Sequence, residues 1–185
     1  ILIKHGIKYS SFTNNTINKF EFLETCIVKI PLLSNKILFV ISAYFPSGKN
    51  CNKLKSELFQ LFQSLKLENL NHYYILAGDL NCKHSDWGNS TFNPQGNKLK
   101  DWFACYEIMF RSRLLASNFP SYPRCGSYLD LCISDSRLII QKMNNTVNCL
   151  ETLDYDSDHN AIKIQIIKMD SDHPLTLFRE TPNLK

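Results

Sequence analysis

Four short islands in this chain carry residue types suited to hydrolysis of a phosphoester. They are Tyr44 in Ala43-Tyr44-Phe45-Pro46, Asp79 with Asn81 in Gly78-Asp79-Leu80-Asn81, Asp130 in Tyr128-Leu129-Asp130-Leu131, and Asp158-His159 in Ser157-Asp158-His159-Asn160. Side chains two apart on an extended chain point the same way, so Asp79 and Asn81 can look into one pocket from the end of a strand. An acid and an amide converging there suit water activation and phosphate binding. The same four residues also suit a turn closed by Asx hydrogen bonds.

Asp130 lies among apolar neighbours, where a carboxylate must be paired or hydrogen-bonded because burying it alone costs several kcal/mol. It can cap backbone N–H groups or hold a histidine. A carboxylate bound to one imidazole nitrogen fixes the tautomer and favours the charged form, leaving the other nitrogen to meet a phosphate. His159 is the partner the sequence offers. Asp156 and Asp158 gather negative charge beside it. That charge suits either an acidic solvated turn or a hard cation such as magnesium, held by carboxylates together with substrate phosphate oxygens. Tyr44 is either a core phenol with a satisfied hydroxyl or a donor to a phosphate oxygen. His5, His72, His84 and His173 show no partner pattern.

The elements that must position these residues follow from periodicity and breakers. Residues 1–3 and 7–9 read as short strands around the His5-Gly6 turn, 21–30 as a strand ended by Pro31, and 37–44 as an apolar central strand. Leu54, Leu58, Leu61, Phe62 and Leu65 have helical spacing, which predicts an amphipathic helix over 52–67. Residues 73–77 form the strand that delivers Asp79, followed by a polar loop to Asn93-Pro94-Gln95-Gly96. A second helix is expected over 98–106 and strands over 128–133, 146–150 and 161–167. The segment 108–115 fits a short strand, and 136–141 a turn of helix or a loop. Strands predominate, so the architecture expected is α/β, with two mixed sheets packed together and helices outside.

The 185 residues can bury one sizeable core, and a formal charge of +4 permits a nucleic-acid partner without arguing for one. Seven scattered cysteines without a Cys-x-x-Cys pair oppose a zinc site or a disulfide framework and suit an intracellular compartment. No apolar run is long enough to cross a membrane.

Taken together, the islands resemble the endonuclease/exonuclease/phosphatase superfamily, most closely the apurinic-type endonuclease domain of LINE-like (non-LTR, jockey-like) retrotransposons. The resemblance rests on Ala43-Tyr44-Phe45-Pro46, Gly78-Asp79-Leu80-Asn81-Cys82-Lys83-His84 with Trp87-Gly88, Asn93 to Gly96, Pro120-Ser121-Tyr122-Pro123-Arg124, the Asp130 strand and Ser157-Asp158-His159-Asn160-Ala161-Ile162. It implies a four-layer α/β sandwich over residues 1–168, with 169–185 a polar tail or linker. It implies that Asp79 orients or deprotonates the attacking water, Asn81 positions the phosphate, His159 contacts the scissile phosphate and Asp130 holds His159. Tyr44 would touch the phosphate, Ser121 would stand beside it on the substrate side, and Asp158 would belong to a magnesium (or manganese) site.

In this family the principal magnesium ligand is a glutamate on an early strand, preceded by a strand bearing an asparagine. Neither is found here, and Glu21 and Glu24 do not replace the glutamate, so an amino-terminally truncated, catalytically incomplete domain is expected. The implied activity is metal-dependent nicking of target DNA by a monomeric nuclear domain, joined in the full-length polypeptide to a reverse transcriptase. A phosphatase or phosphodiesterase of the same superfamily, or a non-catalytic nucleic-acid-binding remnant, are the other readings.

Overall fold

A computed structural model describes residues 1–13, 19–141, 149–154 and 157–169. Its strands are β1 (Ser10–Ser11), β2 (Glu24–Pro31), β3 (Ile37–Tyr44), β4 (His72–Asp79), β5 (Ser112–Ser117), β6 (Asp130–Asp135), β7 (Leu138–Ile140), β8 (Cys149–Leu153), β9 (Ala161–Lys163) and β10 (Ile166–Met169). Two helices, α1 (Cys51–Ser64) and α2 (Pro94–Phe110), lie between them. Eight strands form one sheet in the order β1-β2-β3-β4-β6-β5-β8-β9, and β7 pairs with β10 in a second, two-stranded sheet. The large sheet is mixed: β3 with β4 and β5 with β8 are parallel, while the other neighbours are antiparallel.

Alternation along the central strands divides the core in two, because successive side chains point to opposite faces. Phe39 and Ile41 of β3, Tyr74 and Leu76 of β4, and Leu131 and Ile133 of β6 face the helices. There they meet Leu54, Leu58, Leu61 and Phe62 of α1 and Leu99, Trp102 and Phe110 of α2. On the opposite face Leu38, Tyr73, Ile75, Leu115 and Cys132 pack with Leu138 and Ile140 of β7 and Ile166 of β10. Each such buried side chain contributes roughly 1.5–3 kcal/mol. A sheet covered by helices on one side and by a second sheet on the other is the α/β sandwich the sequence led us to expect.

The elements differ from expectation at their margins. Helix α2 begins four residues early at Pro94 and ends at Phe110, so the ambiguous stretch after 107 belongs partly to helix. Asn93 caps it and Pro94 occupies its first turn, where a missing N–H costs nothing. Segment 136–141, expected as helix or loop, contains strand β7, whose Leu138 and Ile140 alternate into the second core layer. The single strand expected over 161–167 is split into β9 and β10, which pair with different sheets. Residues 1–3 and 7–9 are not strands; Ile7 makes an isolated bridge, and only Ser10–Ser11 form a strand, paired with β2. The tail 170–185, Asp156 and the first part of the strand expected over 146–150 lie outside the described residues.

A buried glutamate anchors the entry to β2. The Glu57 carboxylate on α1 accepts from the N–H groups of Glu21, Phe22 and Leu23 at 2.7, 3.3 and 2.8 Å. Three backbone donors converging on one carboxylate satisfy a charge that would otherwise be costly to bury.

Candidate active site

Strand β4 ends at Asp79 beside Asp130, the first residue of β6, and the two are cross-strand partners. Such partners project to the same face. Two residues beyond the last β3–β4 pair, Ser42 with Ala77, the same register brings Tyr44 alongside Asp79, and the Phe45 N–H donates to the Asp79 carbonyl at 2.9 Å. Tyr44, Asp79 and Asp130 therefore form a row across three adjacent strands, spaced by the roughly 4.8 Å that separates neighbours in a sheet. Tyr44 is the exposed end of that row, and its own partner on the far side is Glu24 of β2.

Gly78 makes the close approach possible. With φ of 152°, a Cβ at this position would sit 1.9 Å from the Ala43 carbonyl oxygen. Only glycine lets β4 run against β3 immediately before the aspartate.

Asp79 is held by Asn81 twice. The Asn81 backbone N–H donates to Oδ1 at 2.9 Å and its side-chain Nδ2 to Oδ2 at 3.1 Å. Nδ2 also donates to the Phe45 carbonyl at 3.1 Å, and Asn81 takes φ of 51°, a left-handed backbone that asparagine tolerates better than most residues. The Asx turn and the active-site pair are thus the same object. Burial pushes the Asp79 carboxyl above its ordinary value; the Asn81 backbone hydrogen bond opposes this and the Asp130 charge adds to it.

His159 completes the group. Its Nδ1 lies 2.8 Å from Oδ2 of Asp130, and Nε2 takes no part in that bond. Burial works against the imidazolium, but the hydrogen bond and charge of Asp130 outweigh it, aided by Asp79 and Asp158, so the histidine is shifted above its ordinary value. The Tyr122 ring lies over it, centroids 4.9 Å apart.

Ser121 is completely buried beneath the pair. Its Oγ accepts from the N–H groups of Leu129 and Asp130, both at 3.0 Å, and its carbonyl accepts from the Asn160 N–H at 2.8 Å. The residue expected on the substrate side is thus tied here to the backbone on both sides of the Asp130–His159 pair, and it fixes their separation.

Asp158 is exposed, and its nearest polar contact is the Ser157 hydroxyl, which donates to Oδ1 at 3.3 Å. Both Asp79 oxygens are engaged by Asn81, and Asp130 is engaged by His159. Among the described residues no three His, Cys, Asp or Glu side chains come together in a group that could hold a metal ion. Asp158 is thus the exposed carboxylate among these site residues, on the side of His159 away from Asn160 in the chain.

Several side chains shape the site although sequence reasoning gave them no role. Asn93 hydrogen-bonds Asn81 and Lys83, Gln95 donates to the Pro46 carbonyl, and Tyr122 covers His159. Asn followed by Pro before an apolar periodicity is a helix-start signal that could have found Asn93, in the segment expected as the end of a polar loop. His84, set aside in the sequence, is a loop anchor: its Nδ1 accepts from the Asp86 N–H and its ring packs on Trp87.

A pair of adjacent acidic strand ends, one holding a histidine and one holding an asparagine, within an α/β sandwich is the arrangement that resemblance to the endonuclease/exonuclease/phosphatase class implies. The solved endonuclease domain of TRAS1, a telomere-specific non-LTR retrotransposon, matches with a TM-score of 0.63 at 14% identity, over 89% of this chain and 71% of that one. The cytolethal distending toxin from Actinobacillus actinomycetemcomitans matches with a TM-score of 0.50 at 12% identity, over 91% of this chain and 60% of that one. The profile of the endonuclease-reverse transcriptase family covers residues 38–163, and the chain belongs to that family. No curated protein sequence matches significantly.

Proposed function

We propose that this domain is a DNA endonuclease that nicks target DNA for a retrotransposon-type reverse transcriptase in the same polypeptide. The observation that carries the reading is the juxtaposition of the Asp79–Asn81 and Asp130–His159 pairs on neighbouring strand ends. Asp79 takes the proton of a water that attacks phosphorus in line; the bond from phosphorus to the 3′ oxygen breaks and that oxygen takes a proton from solvent, leaving a 5′-phosphate and a 3′-hydroxyl. The His159 imidazolium donates from Nε2 to a phosphate oxygen as negative charge develops there. Asn81 can turn one amide hydrogen from Asp79 or the Phe45 carbonyl to the phosphate, and Tyr44 stands at the open end of the row.

Dependence on magnesium or manganese is part of the proposal; it draws on the family resemblance and on Asp158, not on an assembled ligand set. A nuclear location and a monomeric state belong to the same reading; among the described residues no helix is long and apolar enough to cross a membrane. Supercoiled-plasmid nicking with magnesium, manganese or chelator tests the reading. Cleavage that Asp79→Ala and His159→Ala both abolish is the expected result. DNA binding that weakens with salt but produces no nick, unchanged by Asp79→Ala, would instead establish a non-catalytic nucleic-acid-binding domain.

A further inference from the structure

Asn93 uses all of its hydrogen-bonding capacity in one place. Its Oδ1 accepts from the Lys83 N–H at 2.9 Å and from the Gly96 N–H at 2.8 Å; its Nδ2 donates to the Asn81 carbonyl at 2.8 Å and to Gln95 Oε1 at 3.3 Å. Its own N–H donates to the Lys83 carbonyl at 3.0 Å. Asn93 is therefore the cap of α2 and, with the same amide, a clamp on the segment after β4.

That segment needs a clamp. Asn81 sits at a positive φ, which costs a non-glycine residue on the order of 1 kcal/mol and persists only when its surroundings fix it. From that backbone its side chain reaches both Asp79 and the Phe45 carbonyl. Gln95 donates to the Pro46 carbonyl at 3.1 Å, so the first turn of α2 also grips the end of β3. Gly96 lies so close to Lys83 that a Cβ would stand 2.0 Å from its carbonyl oxygen. Helix α2 is thus seated directly on the turn that carries the acid–amide pair.

We propose that Asn93 is a positioning residue for phosphodiester hydrolysis: through Nδ2 it holds Asn81 in its left-handed conformation and thereby aims the Asp79 carboxylate. It does not touch the substrate. The inference rests on the endonuclease reading for its kinetic test and on geometry alone for its structural one.

Asn93→Asp separates the two tasks of the side chain. Aspartate caps helices as well as asparagine does, and its oxygens still accept from Lys83 and Gly96. It has no N–H for Asn81 and sets a carboxylate oxygen against the Asn81 carbonyl. In plasmid nicking we expect kcat to fall on the order of 10²-fold, the scale of a small misplacement of catalytic groups, with KM unchanged and cooperative thermal unfolding retained. Asn93→Asp and Asn81→Ala combined should lose little more than Asn81→Ala alone.

The ¹⁵N-resolved side-chain amide of Asn81 and its backbone HN–Hα coupling report the same geometry without turnover, and both should shift in Asn93→Asp. Nicking at the wild-type rate, unchanged Asn81 signals, or loss of cooperative folding in Asn93→Asp would each overturn the proposal. A wild-type protein that does not nick would defeat the endonuclease reading, and the Asn81 signals alone would then decide whether Asn93 is a clamp.

Discussion

Asp79 and Asp130 are cross-strand partners, yet each is compensated by a different neighbour: Asn81 donates twice to the first and His159 binds the second at 2.8 Å. Two carboxylates side by side repel, and the arrangement gives each its own hydrogen-bond donor. Asp130→Asn tests the division of labour. An amide keeps the shape but no longer favours the imidazolium, so nicking should fall on the order of 10²-fold or more. Folding stability should change little, and the Asp79 carboxyl should move down toward its ordinary value because a neighbouring charge is gone. Carbon-detected NMR titration of Asp79 checks the second effect; an unmoved Asp79 would mean the two carboxylates do not communicate.

The pH profile follows from the same pair. Asp79 serves as base only when ionised, and its carboxyl is shifted up, so activity should rise with pH through a midpoint above the usual aspartate value near 3.8. His159 donates only when protonated, and it is also shifted up, so activity should fall through a midpoint above the usual histidine value of 6.5. The result is a plateau bounded by these two limbs. In Asp130→Asn both limbs should move to lower pH. A wild-type alkaline limb at or below 6.5 would contradict the hydrogen-bonded pair.

Much of this site was legible in the sequence because strand ends are marked there. Gly78 before Asp79 and an aspartate set among apolar residues survive as geometry, whereas Asn81 meets Asp79 through a left-handed turn past the end of β4 and not through extended alternation, and Asp130 opens its strand instead of lying inside it. What stayed hidden depends on contacts distant in sequence. Ser121 reaches Asp130 across a loop, Tyr122 reaches His159, and β7 is a strand only because β10 pairs with it. Leu138 and Ile140 alternate over three residues, too few for periodicity to choose between strand and turn.

Gly78→Ala should disrupt fold and site together. The added methyl would meet a backbone carbonyl, not a flexible side chain, at 1.9 Å, and β3 and β4 would have to separate at Asp79. A loss of about 2–4 kcal/mol is expected from the strain and the disturbed ladder, read as a lower urea midpoint. Gly126→Ala is the control: it also has positive φ, but nothing lies within 4 Å of its Cβ position. It should cost only about 1 kcal/mol. Equal losses in the two variants would show that φ, and not the close approach to Ala43, is what matters at Gly78.

Ser121→Ala isolates the hydroxyl that supports the dyad from beneath. Without Oγ the N–H groups of Leu129 and Asp130 lose a buried acceptor, which should cost about 1–3 kcal/mol. The Ser121 carbonyl would still accept from Asn160, so the His159 side of the pair keeps its anchor while the Asp130 side loosens. We therefore expect faster amide exchange at Leu129 and Asp130, and reduced kcat with KM little changed, because the hydroxyl contacts backbone and not substrate. A variant whose KM alone rises would instead place Ser121 against the phosphate, as the family resemblance implies.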